Sequence, residues 1–324
     1  MRILVTGGAG YIGSHIVRQL GEGTDHDIVV LDNLSSGHKK YVFYGAFHEI
    51  DLANTCAVEK IIQDHQIDTV IHLAAHVSVP ASLKNPLACY ITNVSNSINL
   101  INLCIKHKIS KFIFSSSAAV YGHSENKIVT EESPLSPQNP YGYSKLIIEN
   151  ILKDIAEAHP DFKYISLRYF NVGGASIDGT LGQVSTCDSL LKNLAQTACG
   201  TRDCFTIYGT DYKTHDGSAI RDFIHVEDIA RAHIDTLTYL DTAKSTVFNC
   251  GYGHGYSVKQ VVEAMRTISD HPFKTINGAS RPGDIAELIS DSQKITQKTG
   301  WKPQYDDIDI ICKTAYEWEK KLCG

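Results

Sequence analysis

Along the first half of the chain, short runs of strand length alternate with longer amphipathic stretches. The runs are "RILVT" at 2–6, "DIVVLD" at 27–32, "TVIHLAA" at 69–75, "KFIFSSSAAV" at 111–120 and "KYISLRYF" at 163–170. Continuous Val/Ile/Leu texture, rather than strict alternation, is what strands covered on both faces require. Between them the period becomes helical. One helix is predicted from about Tyr11. A second runs through "NVSNSINLINLCIKH", with Val94, Ile98, Ile101 and Ile105 on one face, and a third covers about 141–158. This alternation predicts an α/β fold, a doubly wound parallel sheet of Rossmann type. After Phe170 the pattern dissolves into "NVGGASIDGTLGQVSTCDS", which has no periodicity. A first domain is therefore expected over 1–170 and a second, smaller α/β domain over 171–324. Segments near 220–250, "FIHVEDIARAHIDTL" and "TVFNCGYG", are expected to return to the first.

Composition narrows the class without deciding it. The 324 residues carry a net charge of −6, with the basic residues scattered. A nucleic-acid surface needs a concentrated positive footprint, so none is expected. No apolar stretch approaches the length of a membrane span, and no leader pattern precedes the first strand. The nine cysteines are odd in number, widely spread and without a C-x-x-C pair. They read as reduced thiols packed as small hydrophobes in a cytoplasmic protein, not as a metal site.

Chemistry enters at "MRILVTGGAGYIGSHIV". Gly7, Gly10 and Gly13 stand at G-x-x-G-x-x-G between a strand and a helix. Such a turn brings a pyrophosphate to the helix N-terminus: the first glycine makes the bend, the second admits the phosphates, the third packs helix on sheet. The next strand ends in "VVLDN", and Asp32 is placed to accept both hydroxyls of an adenine ribose. An acid there disfavours a 2′-phosphate, so NAD is expected. Further on, "NPYGYSKLIIEN" sets Tyr141 and Lys145 at i and i+4, on one helix face. A phenol is a poor base at neutral pH, and a nearby ammonium favours its phenolate. Ser117, closing a strand, is placed to hydrogen-bond the same substrate hydroxyl. Alone, this would be a surface pair and a strand terminus. Downstream of a nucleotide loop it reads as chemistry.

Together these residues resemble the extended short-chain dehydrogenase/reductase superfamily over essentially the whole chain. Within it, "YGTDYKTHDGSAIRDFIHVEDIA" at 208–230 is similar to the signature of the UDP-glucose (UDP-galactose) 4-epimerases, and "LRYFNVGGA" and "RPGD" point the same way. The resemblance implies that Ser117, Tyr141 and Lys145 are catalytic. It implies a NAD site formed by Gly7, Gly10, Tyr11, Ile12, Gly13, Asp32, Asn33, Asp51, Leu52, Leu73, Ala74, Ala75, Asn93, Tyr141, Lys145 and Tyr169. The nucleotide sugar would meet Ser117, Asn171, Ser189, Tyr208, Arg221, Arg281, Asp284 and Leu288. The implied reaction inverts C4 of a UDP-hexose through a 4-keto intermediate, with hydride passing to and from bound NAD. A homodimer through helices near 85–107 and 141–158 is implied as well. Physically, Arg221 and Arg281 suit a diphosphate, or equally an ion pair with Asp222 or Asp284.

Four departures bear on this reading. Ala118 and Ala119 follow Ser117 where sugar-nucleotide dehydratases of the superfamily carry an Asp–Glu pair. Methyl groups transfer no protons, so dehydration is not expected. The loop "GQVSTCDSLLKNLAQ" has Ser189-Leu190-Leu191-Lys192 where the epimerases place Asn or His before a proline, and Val77 replaces a lysine found in some of them. Leu288 falls where pocket width is set; it is intermediate in size, which leaves UDP-N-acetylhexosamines as an alternative substrate class, or it is a plain core leucine. Two motifs are read as decoys. "CGYGHGYSV" lacks a following acid-ended strand and is expected to be a turn with Ser257 as a helix cap. His72 and His76 lie in a strand-like run, not at helical zinc-site spacing.

Overall fold

The computed structural model describes residues 1–124, 126–185, 189–281 and 284–323. Seven parallel strands form the main sheet, in the order Thr246–Cys250, Lys163–Tyr169, Lys111–Ser117, Thr69–His72, Arg2–Thr6, Asp27–Asp32, Ala46–Glu49. The chain starts at Arg2–Thr6, winds outward one way, then crosses back to Thr69–His72 on the other side. That reversal opens a crevice at the strands' carboxyl ends.

Strand residues alternate between the two faces. Ile3 and Val5 pack with Ile16, Leu20, Ile229 and Leu237, under the helices Tyr11–Gly23 and Val226–Thr242. Leu4 points the other way, with Val70, Phe112, Leu100, Ile148 and Leu152, under Asn96–Lys106 and Pro140–Ala158. Both faces are dry, which explains the unbroken apolar runs. The strands expected at 69–75 and 111–120 stop early, at His72 and Ser117, because the chain must turn out of the sheet to form the crevice wall.

A smaller α/β domain completes the fold. It contains a four-strand sheet ordered Tyr256–Ser257, Ile220–Arg221, Glu287–Ser290, Ile128–Val129, with Leu194, Val261, Met265 and Ile311 buried among its helices. Ile128–Val129 comes from the first half of the chain and was not anticipated there. Thr246–Cys250 joins the main sheet, as expected of "TVFNCGYG". Ser257 caps the helix Val258–Ser269 with a full capping box, so the second glycine motif is indeed a strand–turn–helix connection.

Candidate active site

The glycine turn is dictated largely by the protein itself. Gly7 has φ of +73°, and a Cβ there would lie 2.7 Å from the Ala74 amide nitrogen. A Cβ on Gly13 would lie 2.2 Å from the Gly7 carbonyl oxygen. Gly10 differs: its Cβ would meet only that same oxygen, at 3.2 Å. Gly10 is also the cap of the helix Tyr11–Gly23, with no side-chain cap bond and no acid in the first turn. An uncapped helix start with an open glycine is a fitting cradle for a pyrophosphate.

Asp32 closes the neighbouring strand. Its Oδ2 accepts the Ala9 amide at 3.0 Å and its Oδ1 the Leu34 amide at 2.8 Å. Burial raises its pKa, with these two donors opposing. A carboxylate has lone pairs to spare, so it can hold the loop and still accept ribose hydroxyls. Asn33 donates to Asp51 at 2.7 Å, and Asp51 is held below its ordinary pKa by the Ala53 amide and then by Asn33. Buried Leu52 follows, and Leu73, Ala74 and Ala75 leave the strand Thr69–His72 against the glycine turn.

Asn93 lies in a π-turn, Ile91–Ser95, interposed in an otherwise α-helical path from Pro86 to Lys106. Such bulges re-aim a side chain at functional sites. Its amide oxygen accepts the His76 N–H at 2.7 Å, and its nitrogen donates to the His76 carbonyl and to Ser144 Oγ, both at 3.0 Å. His72 is buried between Thr6 Oγ1 at 2.7 Å and Ser97 Oγ at 2.8 Å, and burial pushes it down to about 3. It is a neutral structural histidine.

Ser117, Tyr141 and Lys145 come together where the strand Lys111–Ser117 meets the helix Pro140–Ala158. Asn139 caps that helix on Gly142 at 2.9 Å, with Pro140 in its first turn. Ser117 is near enough to the Tyr141 phenol to favour its ionised form. Lys145, 2% exposed, donates from Nζ to the Ser115 carbonyl at 2.7 Å and lies 5.8 Å from the Tyr141 ring centre. Burial lowers Lys145 to about 7 and raises Tyr141. For the phenol, desolvation outweighs the Ser117 contact that favours its ionised form.

The substrate side is looser. Arg221 forks between Asp284 Oδ1 at 2.5 Å and the Ile220 carbonyl at 2.8 Å, so the ion-pair alternative raised by the sequence does form. Asp222 takes no part in it: it is buried, accepting the amides of Tyr252, Gly253 and Ser290 and the Ser290 hydroxyl. Arg281 stacks its guanidinium 4.0 Å over the Tyr208 ring. Asn171 is exposed on its strand, and Ser189 opens the helix Leu190–Ala198 without a cap bond of its own. Leu288 packs beside Ala118, Val120, Tyr121 and Phe170, next to Ser117.

Two expected site residues also make bonds within the protein. Tyr169 sits in the main core with its hydroxyl 2.7 Å from His233 Nε2, opposite Ser117 in the strand register. Phe170, one step along and therefore on the opposite face, joins the wall with Ala118 and Leu288. Tyr11 donates its hydroxyl to the Gly174 carbonyl at 2.6 Å, so its side chain ties the domains together. Part of the loop 183–192, namely 186–188, and Pro282–Gly283 of "RPGD" lie outside the described residues.

A switch-point crevice with a glycine turn, an acid-ended strand and a Ser/Tyr/Lys cluster defines a nicotinamide-dependent enzyme of the short-chain dehydrogenase/reductase type. The chain belongs to the NAD dependent epimerase/dehydratase family, whose profile matches residues 3–251. It is 42% identical over 324 residues to the UDP-glucose 4-epimerase of Lactobacillus helveticus, covering 99% of this chain and 97% of that one. The UDP-Glc/GlcNAc 4-epimerase of the human pathogen Campylobacter jejuni is 48% identical, with a TM-score of 0.88 and 99% of each chain covered. The UDP-glucose 4-epimerase of Bifidobacterium longum, solved in complex with NAD+ and UDP, superposes with a TM-score of 0.94 at 34% identity, covering 99% and 98%.

Proposed function

We propose that the protein inverts the configuration at C4 of a UDP-hexose, interconverting UDP-galactose and UDP-glucose. The observation that carries this reading is the Ser117–Tyr141–Lys145 cluster opening onto the crevice that Asp32 and the glycine turn border. Bound NAD supplies a hydride acceptor and donor at C4 and, as NAD⁺, a positive ring that stabilises the Tyr141 phenolate. Tyr141 takes the proton of the 4-hydroxyl and returns it. Ser117, beside that phenol, relays or orients the proton. Lys145, anchored on the Ser115 carbonyl, adds positive charge beside the phenolate. Ala118 and Ala119 offer no acid or base, which suits a redox-neutral epimerisation rather than elimination of water.

Arg221 and Arg281 are placed for the diphosphate, their pairing with Asp284 and Tyr208 keeping both guanidinia aimed before substrate arrives. The wall beside the sugar is apolar, with Ala118, Phe170 and Leu288. Such a wall makes no directional bond to the hexose, so a 4-keto sugar can turn over while its diphosphate stays fixed. In the test, purified protein without added cofactor converts UDP-galactose to UDP-glucose, followed by anomeric proton NMR. No conversion, even with NAD⁺ supplied, would exclude these substrates.

A second reading has a specific observation behind it. Leu288 is smaller than an aromatic residue, and the Campylobacter jejuni neighbour is named for both UDP-Glc and UDP-GlcNAc. We infer that UDP-N-acetylhexosamines are accepted too; a UDP-GlcNAc rate below about a hundredth of the UDP-glucose rate would reject this. The divided chain, with 1–170 and the returning segments near 220–250 binding NAD and the rest binding the nucleotide sugar, belongs to the same reading. Leu83, Leu87, Ile91, Ile98 and Tyr143 are exposed along the helices spanning 79–106 and 140–158, and Leu87 is 73% accessible. We take this face as the homodimer contact of a cytoplasmic enzyme. Leu87→Asp together with Ile91→Asp is expected to give a monomer in sedimentation.

A further inference from the structure

Behind the catalytic cluster lies a charged group that the mechanism above leaves idle. Glu149 follows Lys145 by four residues and Tyr141 by eight, so all three share one face of the helix Pro140–Ala158. It is 5% exposed and does not reach the crevice. Arg168 grips it bidentately, from Nε to Oε1 at 3.0 Å and from Nη2 to Oε2 at 2.6 Å. Ser116, the neighbour of catalytic Ser117, donates its hydroxyl to the same Oε1. Arg168 stands opposite Ser116 in the strand register and also donates from Nη1 to the Tyr121 hydroxyl at 2.9 Å and, at 3.3 Å, to the Glu131 carbonyl. The carboxylate thus joins the strand carrying Ser117, the helix carrying Tyr141 and Lys145, and the strand Lys163–Tyr169.

A buried ion pair is about neutral for stability against a well-packed apolar replacement. Its position, one helical turn from the catalytic ammonium, calls for a different account. The groups facing Lys145 are Tyr141 and Glu149 on its own helix, Cys89 on Pro86–Tyr90, His72 on Thr69–His72 and the Ser115 carbonyl. Burial pushes the Cys89 thiol and the Tyr141 phenol up and His72 down, which leaves all three neutral at pH 7. Glu149 is the carboxylate of this set, and Arg168 is the cation that faces it. Burial pulls Lys145 towards losing its proton; with the Cys89 thiol neutral, Glu149 is the charge that opposes this.

We propose that Glu149 is a positioning residue that, clamped by Arg168 and Ser116, keeps Lys145 an ammonium and fixes the serine strand against the tyrosine helix. The proposal rests on reading Lys145 as the cation of the catalytic cluster. Removing a nearby anion makes an ammonium easier to deprotonate, so the direction of the effect is set.

The test uses the full chain as purified, with ¹³C-labelled lysine. The ε-carbon signal that disappears in Lys145→Met identifies the residue. In Glu149→Gln its titration midpoint is expected to fall by about one pH unit, and the alkaline limb of kcat for UDP-galactose to move down equally. NAD content and KM are expected to stay unchanged. Glu149→Gln/Arg168→Gln removes one charge of each sign and is expected to bring the midpoint back towards the wild-type value. Should Glu149→Gln not fold, Glu149→Asp, which draws the charge back by one methylene, takes its place with a smaller fall expected. An unmoved midpoint in a folded single variant overturns the proposal, as does an equal fall in the single and double variants. The NMR readout needs no turnover. A wild type inactive on UDP-galactose therefore counts against the epimerase reading while the midpoint still judges Glu149.

Discussion

The two halves of the crevice are built in opposite ways. On the dinucleotide side, positions are over-determined: Gly7 and Gly13 leave no room for a methyl group, and Asp32 is held by two amides. On the side proposed to take the nucleotide sugar, Arg281 rests on an exposed tyrosine ring, Arg221 on one partly exposed carboxylate, and Leu288 on a small apolar cluster. A cofactor that is retained through turnover suits a rigid cradle. A substrate that must enter, turn over and leave suits a surface whose contacts can be exchanged.

That contrast can be attacked at its centre first. Tyr141→Phe removes the proton acceptor alone, and its kcat is expected to fall by roughly 1000-fold with NAD content and UDP binding kept; near-wild-type turnover would end the mechanism. Gly13→Ala should then cost about 3 kcal/mol by overpacking, seen as a lower urea midpoint together with lost NAD. A tolerated alanine would show that the cradle is less rigid than its contacts imply.

Next comes acid. His72 and His233 are buried on the dinucleotide side, and burial pushes them to about 3 and about 4. An unfolded histidine titrates near 6.5. Below that value the unfolded chain binds more protons than the folded one, so stability declines as pH falls from about 6.5 towards 4. Each is expected to remove on the order of 2 kcal/mol between pH 7 and pH 5. Denaturant melts of His72→Asn against wild type at both pH values measure it; an identical pH dependence would place the loss elsewhere. Last, Arg281→Ala on the looser side is expected to raise KM for UDP-galactose roughly tenfold, about 1.4 kcal/mol, with kcat within a few-fold. A collapse of kcat instead would mean that the exposed side is as tightly specified as the buried one.

Much of this was legible from local pattern. Strands buried on both faces leave unbroken apolar runs, and a glycine turn has a steric signature because no other residue fits. Tyr141 and Lys145 announce themselves by helical spacing, which is a local property. Glu149 carries the same spacing, but nothing local distinguishes it from the many acids on solvated helix faces.

The amino-acid sequence by itself pointed to a parallel doubly wound sheet, the nucleotide turn and the Tyr141–Lys145 spacing, since each rests on local pattern. Only the tertiary structure decided that Arg221 pairs with Asp284 rather than Asp222. It also decided that Ile128–Val129 crosses to the second sheet, and that Lys145 is buried with Glu149 one helical turn behind it. Those outcomes depend on which distant segments exclude water from which charges, and burial is a property of the whole fold.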